Sequence, residues 1–98
     1  EFLKDSPNDE FLNYALAQEW IKSGDLNAAL DQFLMLIENH PDYLATYYHL
    51  GKLYIKRGRK EEAMSVFETG IEKAKKAGEQ HTLSELQSAK LELEYDDD

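Results

Sequence analysis

The sequence repeats itself at a spacing of 34 residues, and this period restricts the chain to a small group of folds. The residues that recur after one such shift include Pro7 at Pro41, Tyr14 at Tyr48, Leu16 at Leu50, Ile21 at Ile55, Gly24 at Gly58, Ala29 at Ala63, Phe33 at Phe67 and Ile37 at Ile71. A period of this length indicates stacked supersecondary units rather than a single globular arrangement. It also favours a binding function over catalysis.

Apolar residues recur at helical spacing in five segments, and Gly or Pro residues separate most of these segments. The predicted helices cover residues 10–22, 26–39, 44–56, 60–76 and 80–95. At the first break, Gly24 suits the left-handed conformation that ends a helix, and Asp25 can cap the next one. Ser6-Pro7-Asn8-Asp9 is a start signal for the first helix. No alternating strand pattern is present, so the sequence predicts an all-α fold.

Apolar residues in the first, second and fifth predicted helices form part of a candidate core. In the first helix these are Leu12, Leu16 and Trp20, with Phe11, Tyr14 and Ile21 widening the apolar face. In the second and fifth helices they are Ala29, Phe33, Leu36, Ile37, Leu83, Leu86 and Leu93.

Composition excludes several classes of protein. The formal net charge is −9, with nine acidic against two basic residues in positions 1–50 and eleven against nine in positions 51–98. This balance argues against nucleic-acid binding, which usually requires a dominant basic face. No apolar run approaches the roughly 20 residues that span a bilayer, so no membrane contact is predicted. No leader pattern opens the sequence, and a cytoplasmic location is the default expectation.

The sequence carries no recognisable catalytic or metal-binding motif. There is no cysteine, and His40, His49 and His81 lack the spacing of metal ligands. Ser65 and Ser84 have no glycine elbow around them, and the glycines are spaced for turns and helix crossings rather than for a phosphate loop. We therefore predict no enzyme activity, no metal and no cofactor.

Two segments share a more detailed pattern. The second unit reads Tyr47-x2-Leu50-Gly51-x2-Tyr54, then Ala63-x3-Phe67, and the first reads Asn13-x2-Leu16-Ala17-x2-Trp20, then Ala29-x3-Phe33, then Pro41. In these residues the chain resembles the tetratricopeptide repeat family, whose 34-residue unit is a helix–turn–helix. The resemblance implies one domain, an α-solenoid of antiparallel helix pairs wound as a right-handed superhelix. Repeat one would cover residues 10–43, repeat two 44–77 and a capping helix 79–95, followed by an acidic tail at 96–98.

Small and large residues have distinct expected roles in this pattern. Ala17 and Gly51 would allow the two helices of a unit to approach closely, with Phe33 and Phe67 filling the space beyond.

The sequence departs from the family pattern at two positions. Asn13 occupies a position that the family gives to a large apolar residue, which suits a first repeat with nothing stacked before it. Lys75 replaces the closing Pro, which allows a longer fourth helix.

The resemblance implies that the first helix of each unit lines a concave groove. We expect the groove contacts to be Tyr14, Gln18, Lys22, Tyr48, His49, Lys52 and Lys56. Tyrosine and lysine side chains together offer ring area, hydroxyl groups and cations for carboxylates. The alternative is that they are ordinary exposed residues. A chaperone-type carboxylate clamp is not expected, because Tyr14, Gln18 and His49 stand where that clamp requires Lys and Asn.

A basic patch interrupts the acidic sequence. Its members are Lys52, Lys56, Arg57, Arg59 and Lys60. The patch can increase solubility and pair with neighbouring glutamates. It can also attract an acidic partner peptide. As a third alternative, it can contact the acidic N-terminal unit of a second copy and form a homodimer. We therefore predict a protein-interaction module that binds a partner peptide in its groove. The alternative is a scaffold or self-association element of a larger protein.

Overall fold

A computed structural model describes residues 9–95, which form five α-helices and no strand. The helices are α1 (Glu10–Lys22), α2 (Leu26–Asn39), α3 (Ala45–Lys56), α4 (Lys60–Ala77) and α5 (Gln80–Tyr95). Their bounds agree with the predicted ones to within one residue, and the all-α prediction is confirmed. Residues 6–8 of the predicted start signal and the predicted acidic tail, residues 96–98, lie outside the described residues.

Local signals in the sequence set where the helices begin and end. The carboxylates of Asp9 and Asp25 cap α1 and α2, each accepting a 3.0 Å hydrogen bond from a first-turn backbone N–H. Gly24 has φ +87°, a left-handed conformation that glycine adopts without strain, so the predicted break is confirmed. Gly78, with φ +71°, ends α4 after 18 residues, so the fourth helix does run past Lys75.

The chain divides into two compact units, one ending at Thr46 and the other beginning at Tyr47. The prediction that the whole chain is one domain stays a prediction. In the first unit α1 and α2 form an antiparallel hairpin, since Glu10 lies beside His40 at one end while Gly24 occupies the turn at the other. Ala17, Ala29 and Phe33 are completely buried in its core.

The apolar face of α1 is narrower than predicted. Phe11 is 61% exposed, and Leu12, Leu16 and Trp20 are only half-buried. Asn13, in contrast, is buried despite its polarity. Its Nδ2 donates to the Asp9 carbonyl at 2.8 Å, and its Oδ1 accepts from Gln32 Nε2 at 2.7 Å. Because both ends of the amide are hydrogen-bonded, the burial carries little of the cost of an unpaired polar group.

The second unit packs α3, α4 and α5 closely at two glycines. A Cβ atom built on Gly51 would lie 2.2 Å from Cε1 of Phe67, so α3 approaches α4 closer than any side chain allows. A Cβ on Gly70 would lie 2.7 Å from Cβ of Tyr47 and 2.9 Å from Cδ1 of Leu86. Gly70 thus lies where α3 and α5 both meet α4. The close approach predicted for Gly51 is present.

Helix α5 covers one side of α4. Its residues Leu86, Ala89 and Leu93 are buried, whereas Leu83, predicted to be buried, is half-buried near the first turn. Lys90 Nζ reaches Glu68 Oε2 on α4 at 3.6 Å. The fifth helix therefore belongs to the core of the second unit.

Candidate functional site

An open groove runs between α3 and α5 in the second unit, and we call it the α3–α5 groove. The α3 side consists of Tyr48, Lys52 and Ile55. The α5 side consists of His81, Ser84, Glu85, Ser88, Ala89, Leu91, Glu92, Leu93 and Tyr95. Tyr48 lies near the first turns of α5 and Ile55 near its last turns, so the two helices run in the same direction along the groove.

Both ends of the groove have mixed linings. Around Tyr48 the polar lining residues include His81, Ser84 and Glu85. Around Ile55 lies a depression of about 780 Å³ that is lined by apolar side chains such as Leu91 and Tyr95 together with Lys52, Ser88 and Glu92. Exposed apolar side chains grouped in a concave surface often mark a binding site. The part of the groove around Ile55, Leu91 and Tyr95 is therefore the part best suited to contact a partner.

Exposure confirms that this part of the groove is open. Ile55 is 36% exposed, Leu91 is 53% exposed and Tyr95 is 81% exposed. Leu91 and Tyr95 are four residues apart and therefore lie on one face of α5. That face is distinct from the buried stripe that packs on α4.

Three of the predicted residues form a cluster on α3. The ring centres of Tyr48 and His49 are 5.2 Å apart in an edge-to-face arrangement. Lys52 Nζ lies 5.7 Å from the centre of the Tyr48 ring, within the range of a cation–π contact. Burial lowers the pKa of His49, and the Glu85 carboxylate acts in the opposite direction. The cluster thus combines ring area, a cation and a largely neutral imidazole.

Charges of opposite sign face the groove without meeting. Lys52 lines the α3 side and Glu92 the α5 side, and both are exposed. Among residues 9–95 neither forms an ion pair, either with the other or with a third residue. Lys56, one turn beyond Lys52, is also exposed.

The other predicted groove residues lie on α1 in the first unit. The Tyr14 ring packs edge-on against Tyr43, with 5.7 Å between ring centres. Gln18 is half-buried, and Lys22 forms an exposed ion pair with Glu19 at 3.6 Å. Burial raises the pKa of Tyr43, and Tyr14 and nearby carboxylates add to that effect. The structure thus gives Tyr14 and Lys22 partners on their own unit, and their role in binding stays a prediction.

Sequence reasoning missed the α5 side of the groove. Leu91, Glu92 and Tyr95 were not predicted as site residues, although the offset of Leu91 and Tyr95 from the Leu86–Leu93 stripe was visible in the spacing. The signal was weak because any helix carries some apolar residues outside its core face. The α5 side of the groove presents serines, glutamates and His81.

Within the described part of the chain, no cluster of three His, Asp or Glu side chains has the geometry to hold a metal ion. None of the five helices is both long enough and apolar enough to cross a membrane. His40 ends α2 and places its Nδ1 3.6 Å from Glu10 Oε1.

Comparison with known proteins identifies the family. The tetratricopeptide repeat profile matches residues 21–86, more than half of the chain.

The chain belongs to the tetratricopeptide repeat family.

Solved structures agree with this assignment. A solution structure of a tetratricopeptide repeat domain protein from Salinibacter ruber is 50% identical, with a TM-score of 0.87 over 90% of this chain and 89% of that one. A crystal structure of a tetratricopeptide repeat domain protein from the same organism is 48% identical, with a TM-score of 0.86 over 91% and 100%. A protein from Bordetella parapertussis, at 24% identity and a TM-score of 0.84 over 98% and 84%, shares the fold. No curated protein matches significantly.

Tetratricopeptide repeat domains generally mediate protein–protein interactions, and they are typically non-catalytic. The predicted membership in this family is confirmed.

Proposed function

We propose that this tetratricopeptide repeat chain is a non-catalytic interaction module that binds a segment of a partner protein in the α3–α5 groove. The observation that supports this best is the open end of the groove where Ile55, Leu91 and Tyr95 are exposed beside Lys52. Exposed apolar side chains grouped in a concave surface mark binding sites more often than scattered ones do.

The proposed contacts include four of the predicted residues: Tyr48, His49, Lys52 and Lys56. Tyr48 and Lys52 are already held together by their cation–π contact, which limits the rotamer freedom that a partner would otherwise have to remove. Tyr14, Gln18 and Lys22 on α1 are proposed as further contacts in the first unit. Nucleic acid is not proposed as a partner, because acidic residues outnumber basic ones by nine.

A random-peptide display selection tests this function. The selection runs in parallel on the wild-type chain and on a Tyr48→Ala, Lys52→Glu, Lys56→Glu variant. A Lys75→Glu, Lys76→Glu variant makes the same change in charge on exposed residues of α4 and serves as the matched control. Circular dichroism verifies that all three are folded.

We expect that the wild-type chain and the control variant both enrich a set of peptides that the groove variant does not enrich. Equal enrichment by all three chains, or none by any, would contradict the groove as the binding site.

Self-association is a second candidate function, because the charge is unevenly distributed. Residues 1–50 hold nine acidic and two basic residues, whereas the basic patch Lys52, Lys56, Arg57, Arg59 and Lys60 follows directly. Opposite surfaces of this kind can join two copies head to tail. Their attraction would weaken with salt, which distinguishes it from the first candidate.

A further inference from the structure

We propose that the exposed side of α2 is a second interaction surface, which binds a basic segment of a partner protein that carries apolar side chains between its cations. This surface consists of Asp31, Leu34, Met35 and Glu38, and we call it the α2 face. The α2 face belongs to the first unit, so the proposal goes beyond the α3–α5 groove and does not depend on it.

Helical spacing joins these four residues into one continuous surface. Residues three or four positions apart are neighbours on a helix, so Asp31 and Glu38 each neighbour both Leu34 and Met35. All four side chains are exposed, Leu34 by 42% and Met35 by 50%. The seven positions between Asp31 and Glu38 correspond to about 10 Å along the helix axis. The apolar pair therefore has one carboxylate about a turn before it and another about a turn after it.

The second repeat accommodates polar side chains at the two apolar positions. A shift of 34 residues places Glu68 of α4 at the position of Leu34 and Thr69 at the position of Met35. Both α4 residues are exposed, and α4 still buries its own apolar stripe. Exposed apolar groups that a repeat of this fold can do without are typical of interaction surfaces. Leu34 and Met35 are therefore available to a partner.

The charge of the first unit determines which kind of partner can cover this surface. Helix α2 contains neither Lys nor Arg, and residues 9–46 contain seven acidic residues and a single lysine, Lys22. That lysine forms its ion pair with Glu19 on α1. Within the described residues, Asp31 and Glu38 form no ion pair. Both carboxylates can therefore receive cations from another protein.

A partner that buries the apolar pair must also cover part of both carboxylates, because they are neighbours within one turn. A carboxylate that loses water without gaining a cation is costly, and an acidic partner would add repulsion. A segment with two cations about 10 Å apart and apolar side chains between them avoids both costs. Leu34 and Met35 then provide most of the apolar contact area, and the carboxylates select the charge of the partner.

The test uses a display library of 12-residue peptides in which every position is Lys, Glu, Leu or Gly. The selection runs in parallel on the wild-type chain, on the groove variant and on a Leu34→Glu, Met35→Thr variant. The last variant carries the residues that stand at the equivalent exposed positions of α4, so it suits a helix of this fold. Circular dichroism verifies that all three chains are folded.

We expect a set of peptides rich in Lys and Leu that the wild-type chain and the groove variant enrich and the Leu34→Glu, Met35→Thr variant does not. The most frequent of these peptides is then labelled, and its binding is measured by fluorescence anisotropy at 50 mM NaCl.

A pair of charge variants separates the carboxylates of the α2 face from the overall charge of the chain. Asp31→Asn, Glu38→Gln keeps the size of both side chains and should weaken binding of the labelled peptide about five- to tenfold. Glu62→Gln, Glu72→Gln removes the same charge from exposed positions of α4 and should change binding by less than about twofold.

Four results would overturn the proposal. Three of them concern the peptides: no peptide that depends on the α2 face, dependent peptides that are acidic or uncharged, and equal loss of binding in the two charge variants. The fourth is self-association of the free chain that Leu34→Glu, Met35→Thr abolishes, because a second copy would then occupy the α2 face. Peptides lost only in the groove variant report on the α3–α5 groove alone, so failure of one proposal is distinguishable from failure of the other.

Discussion

At position 51 the structure leaves no room for a side chain. The Cβ of an alanine there would lie 2.2 Å from the Phe67 ring, and both residues are fully enclosed between α3 and α4. Forcing extra atoms into a packed core typically costs about 1–3 kcal/mol, because neighbouring side chains leave their preferred rotamers. Because the Cβ would overlap the ring outright, we expect the upper part of this range, which exceeds the gain of roughly 1 kcal/mol that alanine offers over glycine inside a helix.

We therefore predict that Gly51→Ala lowers the free energy of unfolding by about 1–2 kcal/mol, as measured by urea denaturation. The double variant Gly51→Ala, Phe67→Leu should lose less than the sum of the two single changes, because the smaller side chain relieves the clash. A Gly51→Ala chain as stable as the wild type would show that α3 and α4 do not approach this closely.

His49 provides a prediction about pH. Burial lowers its pKa below the ordinary 6.5, while the Glu85 carboxylate partly opposes that shift. Glu85→Gln should therefore lower the pKa of His49 further, as followed by NMR titration of the His49 Cε1–H signal. Glu92→Gln is the control and should leave that signal's midpoint in place. A midpoint that rises or stays constant in Glu85→Gln would contradict the arrangement.

The same shift affects stability in a defined direction. Because the folded state favours neutral His49, the unfolded chain binds its proton more readily. The stabilisation is complete above about pH 6.5 and is lost as the pH falls through the lowered folded-state pKa.

Individual residues also show where sequence reasoning reached its limit. The role of Gly51 could be predicted, because a small residue at a fixed place in the repeat has one main use. The environment of Asn13 could not. An amide at an apolar position suggested an uncovered surface, but its burial depends on Gln32, which is 19 positions away. Hydrogen bonds between distant residues leave no periodic signal in a sequence.

At the scale of one helix, α5 is the element on which the second unit depends. It buries Leu86, Ala89 and Leu93 and contacts α4 at Gly70. Burial of a leucine side chain contributes about 1.5–3 kcal/mol, so loss of two of them removes much of the stability of a domain this small.

We predict that deleting residues 79–98 lowers the free energy of unfolding by more than about 3 kcal/mol, measured by urea denaturation followed by circular dichroism. Deleting only residues 96–98 is the control and should change stability by less than about 0.5 kcal/mol. A shortened chain that unfolds at the same urea concentration as the full one would refute a core role for α5.

The bounds of the helices were predictable, whereas the composition of the groove was only partly so. Gly24 and Gly78 end helices through their own backbone freedom, and Asp25 caps one through a side chain three residues from its partner. Such signals are local. Spacing placed Leu91 and Tyr95 off the buried stripe of α5, but that they line a groove opposite α3 depends on how the two helices pack.

For the whole molecule, the two candidate functions predict different responses to salt. If the groove binds a separate partner, we expect the free chain to have a monomer mass by sedimentation equilibrium at both 20 mM and 500 mM NaCl. Association driven by the basic patch would give a larger mass at low salt that falls as salt screens the attraction. Lys56→Glu, Arg59→Glu should then abolish it, and that result would favour self-association over the groove.

One consequence of α5 concerns the growth of the repeat array. Shifted by 34 positions, the buried residues Tyr47, Leu50, Gly51, Leu53 and Tyr54 correspond to His81, Ser84, Glu85, Gln87 and Ser88. All five residues on α5 are exposed and none is an aliphatic or large aromatic residue. A further helix that packed on α5 as α4 packs on α3 would find no apolar surface there to bury. Adding a repeat to this protein by design would first require apolar or small residues at these five positions.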